Sequence, residues 1–138
     1  MEIKVGDATY TAEFNGFTPI AYSRCFHVEK PNGTRRPKDI IEAVGLIAET
    51  MTTYGIPSIE PLLEIFYACI KTSDPKFPTQ FNDWVSSFPA DAYDMGRADG
   101  WAADVMSGLI EPNFFPSPAD GVDAAPAGKA DPAATKQS

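Results

Sequence analysis

The residues of this sequence best spaced for chemistry are two pairs of carboxylates. Glu60 and Glu64 are spaced i, i+4, and Asp91 and Asp94 are spaced i, i+3, so each pair shares one face if its segment is helical. Two carboxylates on one face can serve acid–base catalysis or bind a hard cation. Acidic residues in a first helical turn also interact favourably with the helix dipole, which accounts for Glu60, Asp91 and Asp94 without chemistry. We therefore expect no catalytic or metal site at these pairs, and a small hydrolase remains a third and weaker interpretation.

Other reactive side chains are few. Cys25 and Cys69 lie beside aromatic residues, which favours buried reduced thiols over a disulfide or a reactive thiol. His27 is the sole histidine, so a structural zinc site or a histidine-based triad has little support. The sequence also contains no Gly-x-Ser-x-Gly elbow and no glycine-rich phosphate loop. We expect no catalytic residue, no metal and no cofactor.

Composition narrows the functional class further. The 138 residues are 43% apolar and 12% aromatic, which is enough for one compact core. A net charge of −8 argues against nucleic acid as a partner, because phosphate recognition requires a basic surface. No apolar run approaches the roughly eighteen residues of a membrane span, and the first residues lack the pattern of a signal peptide. We expect a cytoplasmic protein with no membrane partner.

A β-hairpin and a short helix are predicted to open the chain. Residues 2–14 alternate apolar and polar side chains around a Gly6-Asp7 turn, which indicates a hairpin. Thr18 and Pro19 resemble a helix N-cap followed by proline in the first turn, so we predict a helix over about 19–26 with Thr18 as its cap. The following stretch, EKPNGTRR, is predicted to be a loop.

Helical periodicity dominates the remainder of the domain. The apolar spacing from Pro37 predicts an amphipathic helix that Gly55 caps, and the segment after Ser58 is apolar nearly all round, as in a central core helix. The stretch KTSDPKFPTQFNDW then forms a corner between helices. The predicted helices cover about 37–53, 58–72, 79–88 and 91–109, and the last is weakened by Gly96, Gly100 and Gly108 at about 1 kcal/mol each.

These elements predict an α+β, mostly α fold. A short N-terminal hairpin is followed by a compact bundle of about five helices in one domain, residues 1–115. Residues 116–138 form an Ala/Pro-rich tail in which Val122 is the only large aliphatic residue and no aromatic residue occurs. Such a composition cannot offset its ordering entropy, so we expect the tail to be disordered.

Charge is unevenly distributed along the sequence. Residues 24–38 contain five basic residues and Glu29 as their only acidic one, whereas residues 60–111 contain nine acidic residues and three basic ones. A solvated loop with ordinary charges explains this, and so does a contact in which the basic loop of one copy meets the acidic region of another. The residues that we predict for such a contact are Arg24, Arg35, Arg36 and Lys38 on one side and Asp91 and Asp94 on the other.

Aromatic residues supply a second set of candidate contacts. Phe81 and Trp84, at i and i+3, are interpreted as core residues. Phe77, Phe114 and Phe115 lie between prolines at the edges of segments, where complete burial is harder, so we predict that they contact a partner protein.

The sequence resembles the tail assembly chaperones of long-tailed bacteriophages in two places. One is the end of the predicted hairpin, FNGFTPI, and the other, which carries most of the resemblance, is LLEIFYACIKTSDPKFPTQFNDWVSSF. The resemblance covers about residues 1–115 and consists of packing residues without a catalytic signature. Members of that family have a similar core helix, a similar Lys-Thr-x-Asp-Pro break, and then a helix with phenylalanine and tryptophan. The glycines of the predicted last helix depart from the family pattern.

The resemblance implies a non-enzymatic protein of the host bacterial cytoplasm. It would coat the tape measure protein before the tail tube polymerises, self-associate, and be absent from the mature virion. In many members a ribosomal frameshift adds a domain that recruits the major tail (tube) protein. Gly128-Lys129 is compatible with the codons GGA-AAG or GGG-AAA, and G-GGA-AAG is a slippery heptamer, but a chance dipeptide in a low-complexity tail is the favoured explanation. The alternative function is a head–tail joining or tail-completion protein that stays in the virion.

Overall fold

The computed structural model describes residues 1–115, a mostly helical α+β domain that begins with a β-hairpin. Strands β1 (Glu2–Val5) and β2 (Ala8–Thr11) pair antiparallel, with Ile3 opposite Tyr10. Gly6 in the connection has φ +61°, a left-handed conformation that glycine adopts without steric cost. The predicted hairpin and its Gly6-Asp7 turn are confirmed. The predicted tail, 116–138, lies outside the described residues.

Helix α1 (Thr18–Cys25) follows the first hairpin. The predicted N-cap at Thr18 is wrong, because Phe17 occupies the cap position and Thr18 is already helical. The buried Thr18 hydroxyl accepts a hydrogen bond from the Asn15 N–H at 3.0 Å and lies 2.9 Å from the Thr72 hydroxyl. Thr18 therefore links the start of α1 to a distant part of the chain instead of capping the helix.

The stretch predicted as a loop contains a second hairpin. Strands β3 (His27–Glu29) and β4 (Arg35–Pro37) pair antiparallel, with Val28 opposite Arg36. The turn between them is closed by a 2.7 Å hydrogen bond from the Lys30 N–H to the Thr34 carbonyl. The loop prediction is therefore wrong. Each strand has three residues and only its central one, Val28 or Arg36, is half-buried, which is too short an alternation to detect in the sequence.

Two long helices form the centre of the domain. Helix α2 (Ile40–Tyr54) is capped by the Asp39 carboxylate, which accepts from the Ile41 N–H at 2.9 Å, and it ends at Gly55 with φ +80°. Helix α3 (Ile59–Ser73) has Ser58 at its cap position, although the Ser58 side chain makes no capping hydrogen bond. Every residue from Pro61 to Ile70 is buried. The glycine cap of α2 and the central position of α3 are both confirmed.

An aromatic cluster holds the corner after α3. Helix α4 (Phe81–Ser86) places Trp84 at the centre of the cluster with only 1% of its surface exposed. The Trp84 ring centroid lies 5.2 Å from that of Phe66, 5.8 Å from that of Tyr10 and 4.9 Å from that of Phe88, all near edge-to-face. Each such pair adds about 0.5–1.5 kcal/mol beyond area burial. The interpretation of Trp84 as a core residue is confirmed.

The predicted continuous helix over 91–109 is wrong. Residues Ala90–Tyr93 form a 3₁₀ turn, and regular helix resumes only at α5 (Trp101–Val105), which continues through a π-helical turn (Met106–Ile110) into α6 (Glu111–Phe114). Gly96 and Gly100 lie in the interruption, where glycine's high backbone entropy disfavours helix. The chain folds back at this point, and the Trp101 indole N–H donates to the Ala92 carbonyl at 2.6 Å.

Gly108 is explained by a close approach of the amino-terminal segment. A Cβ added at Gly108 would collide with the thioether of Met1, so the small residue makes room for that side chain. The Met1 nitrogen donates to the Ala12 carbonyl at 2.7 Å, which keeps the first residue against the hairpin. Gly108 thus contributes to packing between the π-helical turn and the start of the chain.

Candidate functional site

A polar cleft of about 460 Å³ lies between α1, the second hairpin and the starts of α3 and α4. We define this polar cleft by the charged and titratable residues that line it: His27, Arg35, Lys38, Glu60 and Glu64. It brings together one of the predicted carboxylate pairs and two of the predicted basic residues. Sequence reasoning did not predict that juxtaposition.

Glu64 is the buried centre of the polar cleft, with 4% of its surface exposed. One carboxylate oxygen accepts a hydrogen bond from the Tyr22 hydroxyl at 2.7 Å, and the other accepts from the Lys38 ammonium at 2.8 Å. Burial, and then the adjacent Glu64 carboxylate, raise the pKa of Tyr22 far above its ordinary value. Tyr22 therefore remains a hydrogen-bond donor at physiological pH.

This arrangement accounts for Glu64 as a structural link. Both carboxylate oxygens are engaged within the fold, and they join α1 and Lys38, between β4 and α2, to the central helix. Glu60, one turn earlier, is exposed, so the pair does not offer two equivalent carboxylates to a substrate. Within residues 1–115 no group of three or more histidine, cysteine, aspartate or glutamate side chains is placed to hold a metal ion.

The predicted basic residues are in different environments. Lys38 is paired with Glu64, and Arg36 lies 3.4 Å from the Glu42 carboxylate, with both side chains largely exposed. The Arg24 guanidinium lies 5.5 Å from the centre of the Phe17 ring, a cation–π contact. The Arg35 guanidinium makes no hydrogen bond or ion pair with any residue that the structure describes. Arg24 and Arg35 are therefore the cations best placed for a partner.

The predicted acidic residues, Asp91 and Asp94, lie in the irregular segment between α4 and α5. Asp91 is within the 3₁₀ turn and Asp94 directly follows it, and both are exposed at a cavity of about 440 Å³ that Lys4 and Arg97 also line. Arg97 donates to Asp99 at 3.2 Å, and this hydrogen bond lowers the pKa of Asp99. Asp91 and Asp94 therefore line the same cavity, but from a 3₁₀ turn and its end and not from the predicted α-helix.

The three aromatic candidates differ in exposure. Phe77 is half-buried against Tyr67, at 6.1 Å between ring centroids, and Phe114 is half-buried edge-to-face on Phe14, at 5.3 Å. Phe115 is exposed by 43%. Of these rings, Phe115 offers the largest accessible area to a partner.

The expectation that both cysteines are buried is wrong for Cys25. It is the last residue of α1 and is exposed, whereas Cys69 is fully buried in α3. Burial raises the pKa of the Cys69 thiol to about 12. Both cysteines are free, so the absence of a disulfide between them agrees with the prediction.

Large apolar side chains remain exposed over much of the described surface. On α2, Ile41 is 62% exposed, and Leu46 and Tyr54 are exposed by 50% and 75%. Further exposed examples are Phe17, Ile20, Met51, Ile56, Ile59 and Phe115. Helical spacing alone does not distinguish a core stripe from this wider apolar surface.

A groove runs between the end of α2 and the segment from α5 to α6. It consists of two adjoining hollows of about 310 Å³ each, which share Met51, Met106 and Glu111. Met95 lines one hollow and Phe115 the other. We call this feature the methionine groove. No sequence signal predicted it, because it joins residues of α2 to residues of the last segment that are more than 40 positions away along the chain.

Comparison with known proteins gives no match: no family model matches the chain, and neither curated proteins nor solved structures show significant similarity to it. Within residues 1–115, none of the helices has the length and apolar character that a membrane crossing needs. The geometry of the surfaces described above is thus what bears on function.

Proposed function

We propose that this protein is a bacteriophage tail assembly chaperone, which binds the tape measure protein in the host cytoplasm before the tail tube forms and then leaves. The observation that carries the proposal is the amount of exposed apolar surface, including Ile41 and Tyr54 at 62% and 75% exposure. Single exposed apolar residues are ordinary on a protein surface, and we take these side chains to be separate points of contact with the client. The engagement of Glu64 by Tyr22 and Lys38 supports a non-enzymatic role.

Dispersed apolar contacts suit a chaperone that must release its client. A single tight interface would resist displacement when tube subunits arrive, whereas many weak contacts add up through avidity and dissociate one at a time. The exposed side chains lie on separate elements, from Ile20 on α1 to Phe115 after α6, and so fit several weak contacts better than one deep pocket.

Self-association belongs to the same proposal. Arg24 and Arg35 present positive charge at α1 and the second hairpin, whereas Asp91 and Asp94 present negative charge near the 3₁₀ turn. Contact between these regions on different copies would align several chaperones along one client. Recruitment of the major tail protein, through a longer frameshifted product, concerns Gly128 and Lys129, which lie outside the described residues.

Co-expression with the tape measure protein from the same genome tests the proposal. We expect the tape measure protein to be insoluble alone, and to become soluble and co-purify with this protein. The double variant Ile41→Asp/Tyr54→Asp should reduce that recovery several-fold with an unchanged circular dichroism spectrum, because both side chains are exposed and their removal leaves the core intact. Equal recovery of the tape measure protein with and without this protein would refute the proposal.

Mass spectrometry of purified virions separates this function from the alternative. A chaperone that leaves before tube completion should be absent from the particle. Detection of the protein at a fixed stoichiometry would favour a head–tail joining or tail-completion protein retained in the virion.

A further inference from the structure

We infer that the methionine groove receives the outer face of α1 from a second copy of this chain, in a head-to-tail contact. We define the α1 ridge by the residues of that face: Phe17, Ile20 and Arg24. The contact does not depend on the proposed role in tail assembly. It joins two different surfaces of the same chain, so it is heterologous.

The methionine groove has the shape and flexibility of a helix-binding surface. Its two hollows are joined through Met51 and Met106 and lie between helical segments, which is where an apolar helix face fits a groove. Three of the chain's four methionines, Met51, Met95 and Met106, line it. Unbranched methionine side chains adapt to irregular partners, so the surface can close around a helix without a prearranged fit.

The α1 ridge has the complementary form. Phe17 and Ile20 are exposed by 39% and 49%, and Arg24 lies over the Phe17 ring, so the three side chains share one face. Lys71 lines a small hollow together with Phe17 and Arg24 and adds a second cation beside the ridge. The ridge therefore combines apolar side chains with positive charge.

Charge complementarity between Arg24 and Glu111 favours the α1 ridge as the surface that binds the methionine groove. Glu111 lines both hollows, and Arg97 at the end of one hollow is already paired with Asp99. A ridge–groove contact brings Arg24 towards Glu111, whereas groove against groove would bring two Glu111 carboxylates together and ridge against ridge two Arg24 side chains. The exposed apolar residues of α2 outside the groove are Ile41, Leu46 and Tyr54, and the only charged residues of that helix are Glu42 and Glu49, so it offers no cation to Glu111.

Two variants block the two halves of the contact separately. Met51→Lys and Ile20→Glu each place an uncompensated charge in the apolar part of the contact, the first in the groove and the second on the ridge, and burying such a charge is costly even where salt screens exposed charges. Both positions are exposed, by 37% and 49%, so neither change disturbs the core. Leu46→Lys is the matched control, because Leu46 is an equally exposed residue of α2 outside the groove.

Sedimentation velocity at about 100 μM protein and about 0.5 M salt measures the contact, since contacts between exposed charges are largely screened at that salt concentration. We expect wild type and Leu46→Lys to associate, and Met51→Lys and Ile20→Glu each to weaken association at least tenfold. An equimolar mixture of these two variants should form a heterodimer. The intact ridge of Met51→Lys binds the intact groove of Ile20→Glu, and growth stops because the remaining groove and ridge both carry a substitution. Monomeric wild type under these conditions, undiminished association of either variant, or a mixture that stays monomeric would overturn the inference.

Discussion

The Lys38–Glu64 ion pair gives the sharpest test of how this fold is held together. Lys38→Met removes the ammonium 2.8 Å from a carboxylate whose side chain is 5% exposed, and retains most of the aliphatic length of lysine. Glu64 is then left with the Tyr22 hydroxyl as its remaining partner among the described residues. A buried charge that loses its counterion is the costly case, because its desolvation is no longer compensated.

The magnitude follows from burial. Removing one partner of a fully buried pair costs about 3–5 kcal/mol, but the Lys38 side chain is 27% exposed, so water reaches the site and lowers that cost. The surviving Tyr22 hydrogen bond lowers it further. We expect Lys38→Met to reduce the free energy of unfolding by about 2 kcal/mol, which is a midpoint shift of about 1 M urea for a small domain.

Urea denaturation followed by far-UV circular dichroism measures the effect. A double-mutant cycle adds Glu64→Met and the double variant, which we expect to cost about 2 kcal/mol less than the two single changes together, because the charged partner is removed with its counterion. Lys76→Met, at an exposed lysine without an ion pair in the described residues, should change stability by less than about 0.5 kcal/mol. A Lys38→Met variant as stable as the Lys76→Met control, or additive costs in the cycle, would refute the reasoning.

Three further predictions concern separate features. Gly55→Ala should lower the free energy of unfolding by about 1 kcal/mol, because Gly55 has φ +80°. Gly45→Ala, inside α2 and with open space where its Cβ would lie, should raise the free energy of unfolding by up to about 1 kcal/mol. Thermal denaturation of both variants checks these opposite signs. The pKa of the Cys69 thiol is about 12 in the fold and ordinary in the unfolded chain. Above about pH 9 the thiol therefore loses its proton in the unfolded state and keeps it in the folded state. The free energy of unfolding should then fall by about 1.4 kcal/mol per pH unit. Cys69→Ala should remove that contribution from a pH series of urea midpoints, and an unchanged slope would contradict it. Arg35→Glu should weaken association at low salt and have less effect at high salt in sedimentation experiments, whereas equal effects at both salt concentrations would exclude a charge contact through Arg35.

Elements that are defined by a continuous pattern of neighbouring residues could be predicted from the sequence. The continuous apolar character of residues 61–70 identified the buried central helix, and the alternation around Gly6 identified the first hairpin. Gly55 was predictable because a left-handed C-terminal cap follows from glycine's conformational freedom alone. In each case the physical cause acts over a few neighbouring residues.

Features that depend on distant parts of the chain were not predictable in this way. The Lys38–Glu64 pair joins residues that are separated by 26 positions, and although Glu64 lies in the segment predicted to be buried, nothing in the local sequence identifies Lys38 as its partner. The second hairpin escaped detection because its strands are short and mostly exposed. The position of Cys25 at the exposed end of α1 likewise depends on how that helix packs and not on its apolar neighbours.

The interruption of the last helix connects the fold to the proposed surfaces. The predicted helix over 91–109 is replaced by a 3₁₀ turn at Ala90–Tyr93, an irregular segment and a helix that begins only at Trp101. The break at Gly96 and Gly100 instead folds the chain back, and the Trp101–Ala92 hydrogen bond fixes the return. Met95 then reaches the hollow that Met51 and Met106 share. The methionine groove therefore contains residues from both sides of the break, Met95 before it and Met106 after it.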